Sequence, residues 1–216
     1  MNNVLKFYIF NNKLKKKLRQ GWLDVKISGN RIESVAEHIY GTLVLAISIN
    51  DEYKLNLNME HILKMMTLHE LEEIIIPDYS ALASITKEEK IKAGELAVRK
   101  IVNGLIKEDE IIELLEEFSA RTTKEAIFCH YIDKLEADLQ AKLYDLEGKF
   151  DLENEKADCR AWYGESAEEI IASSTCASDI WLKCDHHIYE DDELFSELQT
   201  AIMDINKNDF DDIMND

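Results

Sequence analysis

Residues 61–73 read His61-Ile-Leu-Lys-Met-Met-Thr-Leu-His69-Glu70-Leu-Glu72-Glu73. At helical spacing Ile62, Met65, Met66, His69 and Glu73 share one stripe. The spacing therefore predicts a helix over roughly residues 59–75 whose buried face begins apolar and ends ionisable. A carboxylate that continues an apolar face is costly unless it is paired or holds a cation.

The rest of the chain reads as helix on either side of this stretch. Ser34 with Glu37, Thr86 with Glu89, Thr122 with Glu125 and Ser166 with Glu169 each form the pattern of a capping box ahead of an apolar-periodic run. Helices are predicted over roughly 2–18, 34–50, 59–75, 87–104, 108–118, 123–147, 166–184 and 192–206. Pro77 suits the end of the third, because the residue before a proline avoids the helical region. The stretch from Gly148 to Gly164 reads as a long loop. One proline and seven glycines in 216 residues argue against an all-β chain, which needs many turn residues. The expected fold is all-α, with a first domain over residues 1–150 and a C-terminal helical extension over 151–216 that packs on it or continues it.

Charge narrows the function. The chain carries 25 Lys and Arg against 44 Asp and Glu, a formal net charge of -19. So acidic a surface argues against a nucleic acid polymer as partner, because phosphate neutralisation needs clustered cations. The exception is Lys13 to Arg31, with seven basic residues and only Asp24 acidic. It reads either as a solvated face or as positive potential near a site for a small phosphorylated substrate. Glu190 to Asp216 holds ten acidic residues and one basic, Lys207, and reads as a solvated, fraying end. No apolar run reaches 18 residues, so no spanning helix is expected, and Met1 to Phe10 lacks the basic start of a signal peptide. Four cysteines without a C-x-x-C pair read as reduced thiols in a cytoplasmic protein.

Two further residues join the ionisable end of the third helix. His38 lies in the first turns of the second helix. Asp133 lies mid-helix in the sixth, on a stripe of small residues (Ala126, Cys129, Ala137) that leaves room beside it. Two imidazoles and two carboxylates from three helices would make a mixed nitrogen–oxygen metal site of the kind helix bundles build in their cores. His186-His187 beside Cys184 does not make another, because adjacent helical side chains point about 100° apart.

His38, then His69-Glu70, then Asp133 has the order and spacing of the H…HD…D metal site of the HD-domain phosphohydrolases. The sequence resembles most closely their YfbR-type 5'-deoxynucleotidase branch. The matching stretches are Arg19-Gln-Gly-Trp22, Glu33-Ser-Val-Ala-Glu-His38, His69-Glu70-Leu-Glu72-Glu73-Ile-Ile-Ile-Pro-Asp78 and Asp133-Lys-Leu, within about residues 10–150. The resemblance implies an HD-domain helical bundle with one divalent metal in its core, held by His38, His69, Glu70 and Asp133. It implies Glu73 as the group that positions or deprotonates the attacking water, Arg19 as the phosphate-binding arginine, Asp78 near the sugar hydroxyl and Trp22 against the sugar, with Arg31 and Lys134 as further cations. It also implies a homodimer. A donor set of two imidazoles and two carboxylates suits Mn²⁺, Fe²⁺, Co²⁺ or Ni²⁺ better than Mg²⁺ or Zn²⁺. The implied reaction is hydrolysis of deoxynucleoside 5'-monophosphates. Its rivals are another HD-type reaction, pyrophosphohydrolase or phosphodiesterase, and a non-enzymatic HD-fold binding protein.

The third reading exists because of one departure. The family pair is His-Asp, whereas this chain has His69-Glu70. The extra methylene carries the carboxylate about 1.5 Å further out, and Glu70 is then either a tolerated ligand or a lesion. The survival of His38, Glu73, Asp78, Asp133, Arg19 and Trp22 favours the tolerated ligand.

Overall fold

The computed structural model describes residues 1–76 and 86–215. Every element among them is helical. In chain order these are α1 (Asn3–Asn11), α2 (Gln20–Asp24), α3 (Val35–Glu52), α4 (Met59–Leu68), α5 (Lys87–Val102), α6 (Glu108–Ala120), α7 (Lys124–Leu146), α8 (Leu152–Tyr163), α9 (Ala167–Ala172), α10 (Ala177–Asp185), α11 (Glu193–Asp204) and α12 (Lys207–Asn215). Single 3₁₀ turns lie between several of them. Two compact units form. One holds residues 1–21 and 33–132, the other residues 22–32 and 133–216.

In the first unit α3 is fixed at its start by the expected capping box. The Glu37 carboxylate accepts from the Ser34 N–H at 2.8 Å, and the Glu37 N–H donates back to the Ser34 hydroxyl at 3.4 Å. One face of α3 then buries Val35, His38, Thr42, Ala46 and Ile49. Leu14, Val35, Leu71, Ile74, Val98, Ile101 and Val102 form one apolar cluster, and Ile62, Met65 and Met66 of α4 are fully buried. Burial of such a side chain contributes about 1.5–3 kcal/mol, so the apolar half of the 61–73 stripe is a structural anchor.

The predicted helix over 2–18 is interrupted. α1 ends at Asn11, and Lys17 is extended because Leu18 pairs antiparallel with Ser34. The Arg19 N–H donates to the Glu33 carbonyl at 3.0 Å, and the Val35 N–H donates to the Lys17 carbonyl at 2.8 Å. Those two bonds require strand-like backbone, and they set Lys17 and Arg19 beside the start of α3.

The second unit differs more from expectation. Residues 152–163, read as loop, form α8. Asp151 caps it by accepting from the Asn154 N–H at 2.8 Å, and Glu155 and Cys159, one turn apart, are buried. The glycines at 148 and 164 bound the helix and do not mark a loop; both have positive φ. The single helix expected over 166–184 is broken at residues 173–176. There the Ser173 and Ser174 hydroxyls donate back to the Ile170 carbonyl, and the Asp179 carboxylate accepts from the Thr175 N–H and hydroxyl. Side chains that satisfy backbone groups locally compete with helix continuation. The acidic tail is helical as α12, although none of its residues is buried.

The core of this unit also holds acids. Asp138 is fully buried and accepts from the Trp181 indole, the Tyr189 hydroxyl and the Gln199 amide at 2.9–3.1 Å. Glu155 is 1% exposed, and its Oε2 has no hydrogen-bond partner. Burial first, then the nearby charges of Asp158 and Asp185, push the Glu155 carboxyl up to about 8. Folding therefore takes up a proton between the ordinary carboxylate range and about pH 8. Stability from this group is complete at low pH and is lost as pH rises through about 8. Glu155→Gln, which keeps the shape of the protonated acid, is expected to flatten the fall in Tm between about pH 5 and pH 8. Thermal unfolding monitored by circular dichroism across that range measures it. An unchanged slope would place the proton uptake elsewhere.

Candidate metal centre

α4 does not run on to residue 75. Its last helical residue is Leu68, His69 caps it, Glu70 lies at φ -99°, ψ 18°, and residues 71–74 form a 3₁₀ turn. The arrangement of His69 and Glu70 depends on this change. The His69 Nδ1 lies 2.7 Å from the Met66 carbonyl oxygen. A carbonyl can only accept, so Nδ1 carries the proton and Nε2 carries the lone pair. That Nε2 faces the Nε2 of His38 at 3.3 Å. His38 is wholly buried, and Phe118 of α6 closes on the His69 ring, with centroids 5.4 Å apart.

Glu70 enters from the next residue. Its Oε1 is 3.6 Å from His38 Nε2 and 3.7 Å from His69 Nε2, and it accepts from Arg19 Nη1 at 2.8 Å. One ligand atom each from His38, His69 and Glu70 lie within 4.8 Å of one another; Asp133, the residue after Ile132 on the unbroken helix α7, belongs to the second unit. Ligands at right angles around an octahedral cation with bonds of about 2.1 Å stand about 3.0 Å apart. The two imidazoles are near that separation already. An Nε2 lone pair aimed at a second imidazole nitrogen, with the Glu70 carboxylate beside it, is a donor set that fits a divalent cation of borderline softness.

The 3₁₀ turn is held from outside. Lys17 Nζ donates to the Glu73 and Ile76 carbonyls. Sequence reasoning placed Lys17 only in a basic run and missed this role. The visible signal was its position two residues before Arg19. Phe118 was missed as well, since one aromatic on an amphipathic helix carries no mark of what it covers. Glu73 is 6% exposed, but its expected place one α-helical turn beyond His69 is corrected by the tighter 3₁₀ turn. Trp22 is 2% exposed in the apolar cluster of the second unit, against Tyr144 and Trp181 at centroid distances of 5.3 and 5.1 Å. Arg31 is exposed, and Lys134 lies 4.0 Å from its neighbour Asp133. Asp78, like Pro77, lies outside the described residues. His186 and His187 diverge, one ring meeting Gln199 and the other the Cys184 carbonyl.

The HD-domain family model matches residues 11–174. The chain belongs to the HD-domain family. Its relatives include the 5'-deoxynucleotidase HDDC2 of Homo sapiens, 34% identical over 151 residues, which are 68% of this chain and 71% of that protein. The 5'-deoxynucleotidase HDDC2 of Bos taurus is 30% identical over 168 residues, 76% of this chain and 77% of that one. Among solved structures, a conserved hypothetical protein from Pyrococcus furiosus superposes with a TM-score of 0.65 at 25% identity, over 92% of this chain and 96% of its own. The HD-domain fold implies a divalent metal, and the cluster just described could bind one.

Replacing His69 removes a donor that is already oriented by its own backbone. His69→Ala and His38→Ala are each expected to lower Mn²⁺ affinity by more than the ~10–100-fold that loss of a group supporting a metal ligand costs. Titration calorimetry on chelated protein measures it. Full occupancy in His69→Ala would locate the metal elsewhere.

Proposed function

We propose that this chain is a metal-dependent phosphomonoesterase that hydrolyses deoxynucleoside 5'-monophosphates to deoxynucleoside and phosphate. One observation carries the reading. Two imidazole Nε2 atoms and a carboxylate oxygen converge beside the guanidinium of Arg19, in a chain whose relatives are 5'-deoxynucleotidases. His38, His69, Glu70 and Asp133 would hold the cation, which would supply Lewis-acid chemistry at the phosphoryl group and at the attacking water. The chemistry of the donors supports Mn²⁺, Fe²⁺, Co²⁺ or Ni²⁺.

The protein's own groups do the rest. Arg19 binds the phosphate dianion through a planar fork, which suits two oxygens at once. Glu73 takes a proton from the attacking water as the new bond to phosphorus forms, and as the P–O5′ bond breaks the leaving O5′ takes a proton from solvent to give the deoxynucleoside hydroxyl. The resemblance to the 5'-deoxynucleotidases supports Trp22 as the group that disfavours a 2′-hydroxyl and Asp78 as the group assigned to the sugar hydroxyl. Among the described residues no helix is long and apolar enough to cross a membrane, and the four cysteines are free thiols. The free thiols support the cytoplasm as the location, and kinship with the HD family supports a homodimer.

A panel of mononucleotides, with each divalent metal added back to chelated protein, tests the reaction. Deoxynucleoside monophosphates are expected to turn over faster than ribonucleotides. Turnover only of triphosphates or cyclic nucleotides would instead favour a pyrophosphohydrolase or phosphodiesterase. Glu73→Gln is expected to keep the metal and lose turnover by ~10²–10⁴-fold, as for loss of a general base. Unchanged turnover would make Glu73 structural. Trp22→Ala is expected to raise the ribonucleotide rate relative to the deoxy rate. An unchanged ratio removes Trp22 from the selectivity.

A further inference from the structure

The oxygen of Glu70 nearest the two histidines is also the one that accepts from Arg19. Oε1 lies 2.8 Å from Arg19 Nη1 and 3.6 and 3.7 Å from the two Nε2 atoms. Ligands at right angles around an octahedral cation stand about 3.0 Å apart for bonds of about 2.1 Å. The histidine pair, at 3.3 Å, is close to that spacing, and Glu70 is set back from it on the Arg19 side. The pair is partly buried, with side-chain exposures of 15% and 13%, so solvent screens it only in part. The glutamate side chain at position 70 reaches the guanidinium and still faces the imidazoles.

We propose that Glu70 is a shared carboxylate. Arg19 holds it back from full metal ligation until a phosphate dianion takes the guanidinium, and Glu70 then closes on the cation. Metal and phosphate thereby bind cooperatively through one ion pair. This inference rests on the metal-site reading above. Before phosphate arrives, the guanidinium lowers metal affinity by holding the Glu70 carboxylate through Oε1, the oxygen nearest the two histidines. A phosphate with two negative charges is the stronger partner for the fork. Coupling between the two ligands is reciprocal, so the cation raises phosphate affinity by the same factor.

The experiment is a double-mutant cycle on chelated full-length protein, with Mn²⁺ alone as the first probe and titration calorimetry as readout. Arg19→Gln is expected to tighten Mn²⁺ binding by about tenfold. In a Glu70→Gln background, where there is no carboxylate to release, the same Arg19 change is expected to alter affinity by less than about twofold. Inorganic phosphate is the second probe. It is expected to tighten Mn²⁺ in the parent by at least about threefold more than in Glu70→Gln, where only direct contact between phosphate and cation remains. If Arg19→Gln leaves Mn²⁺ affinity unchanged or weakens it while the parent binds, Arg19 does not restrain Glu70 and the inference fails with the metal site intact. If Arg19→Gln tightens Mn²⁺ equally in both backgrounds, the effect is bulk charge and the shared-carboxylate model fails. If neither the parent nor any variant binds Mn²⁺, Fe²⁺, Co²⁺ or Ni²⁺, the metal-site reading falls and takes this inference with it.

Discussion

The bond from His69 Nδ1 to the Met66 carbonyl is the interaction on which the candidate centre depends. It forms where α4 gives out, and it uses one of the carbonyls that every helix end leaves without an intrahelical partner. The bond both caps the helix and selects the imidazole tautomer, so that Nε2 is the lone-pair nitrogen. Had α4 continued, that carbonyl would accept from the backbone and the ring would have no fixed tautomer. The apolar residues just before it, Ile62, Met65 and Met66, have no freedom to shift because they are fully buried. The His69 ring is therefore positioned by core packing on one side and by Phe118 on the other.

A helix end is a weak place to hold two ligands unless the chain beyond it is also restrained. Here the restraint comes from sequence-distant cations. Lys17 donates to two carbonyls of the turn, and Arg19 pairs with Glu70. Both side chains owe their positions to the two backbone bonds that join residues 17–19 to residues 33–35. The basic stretch of an otherwise acidic protein is thus used at least twice for local geometry. Exposed ion pairs contribute about 0–1 kcal/mol; the value of these lies in placement, because each cation is partly buried and meets acceptors with fixed directions.

The buried acids of the second unit follow a different logic. Asp138 has three donors and is kept as part of a polar network, the arrangement that makes a buried polar group tolerable. Glu155 lacks a partner on one oxygen and has two acidic neighbours, so the proton itself becomes its partner. Burial pushes both carboxyls up to about 8; the two acids differ in how many donors the surrounding helices supply.

The fold class was legible in residues whose effect is local. Ser34 with Glu37 and Thr86 with Glu89 mark helix starts because the bonds they make span three residues. The apolar stripe from Ile62 to Met66 marks a buried face for the same reason of short range. The donor set His38, His69, Glu70 and Asp133 was legible as residue types at family spacing. What the sequence could not decide was anything made by long-range contacts. The end of α4 at Leu68, the extended backbone at Lys17 and the helix α8 over a stretch that reads as loop all answer to partners far along the chain, and these outweigh propensities of a few tenths of a kcal/mol per residue. The state of Glu70 belongs to this second group. Its extra methylene is plain in the sequence, but only the tertiary structure brings Arg19 within 2.8 Å of it. An ion pair between positions 51 residues apart is set by how the backbone folds back, which no local pattern encodes.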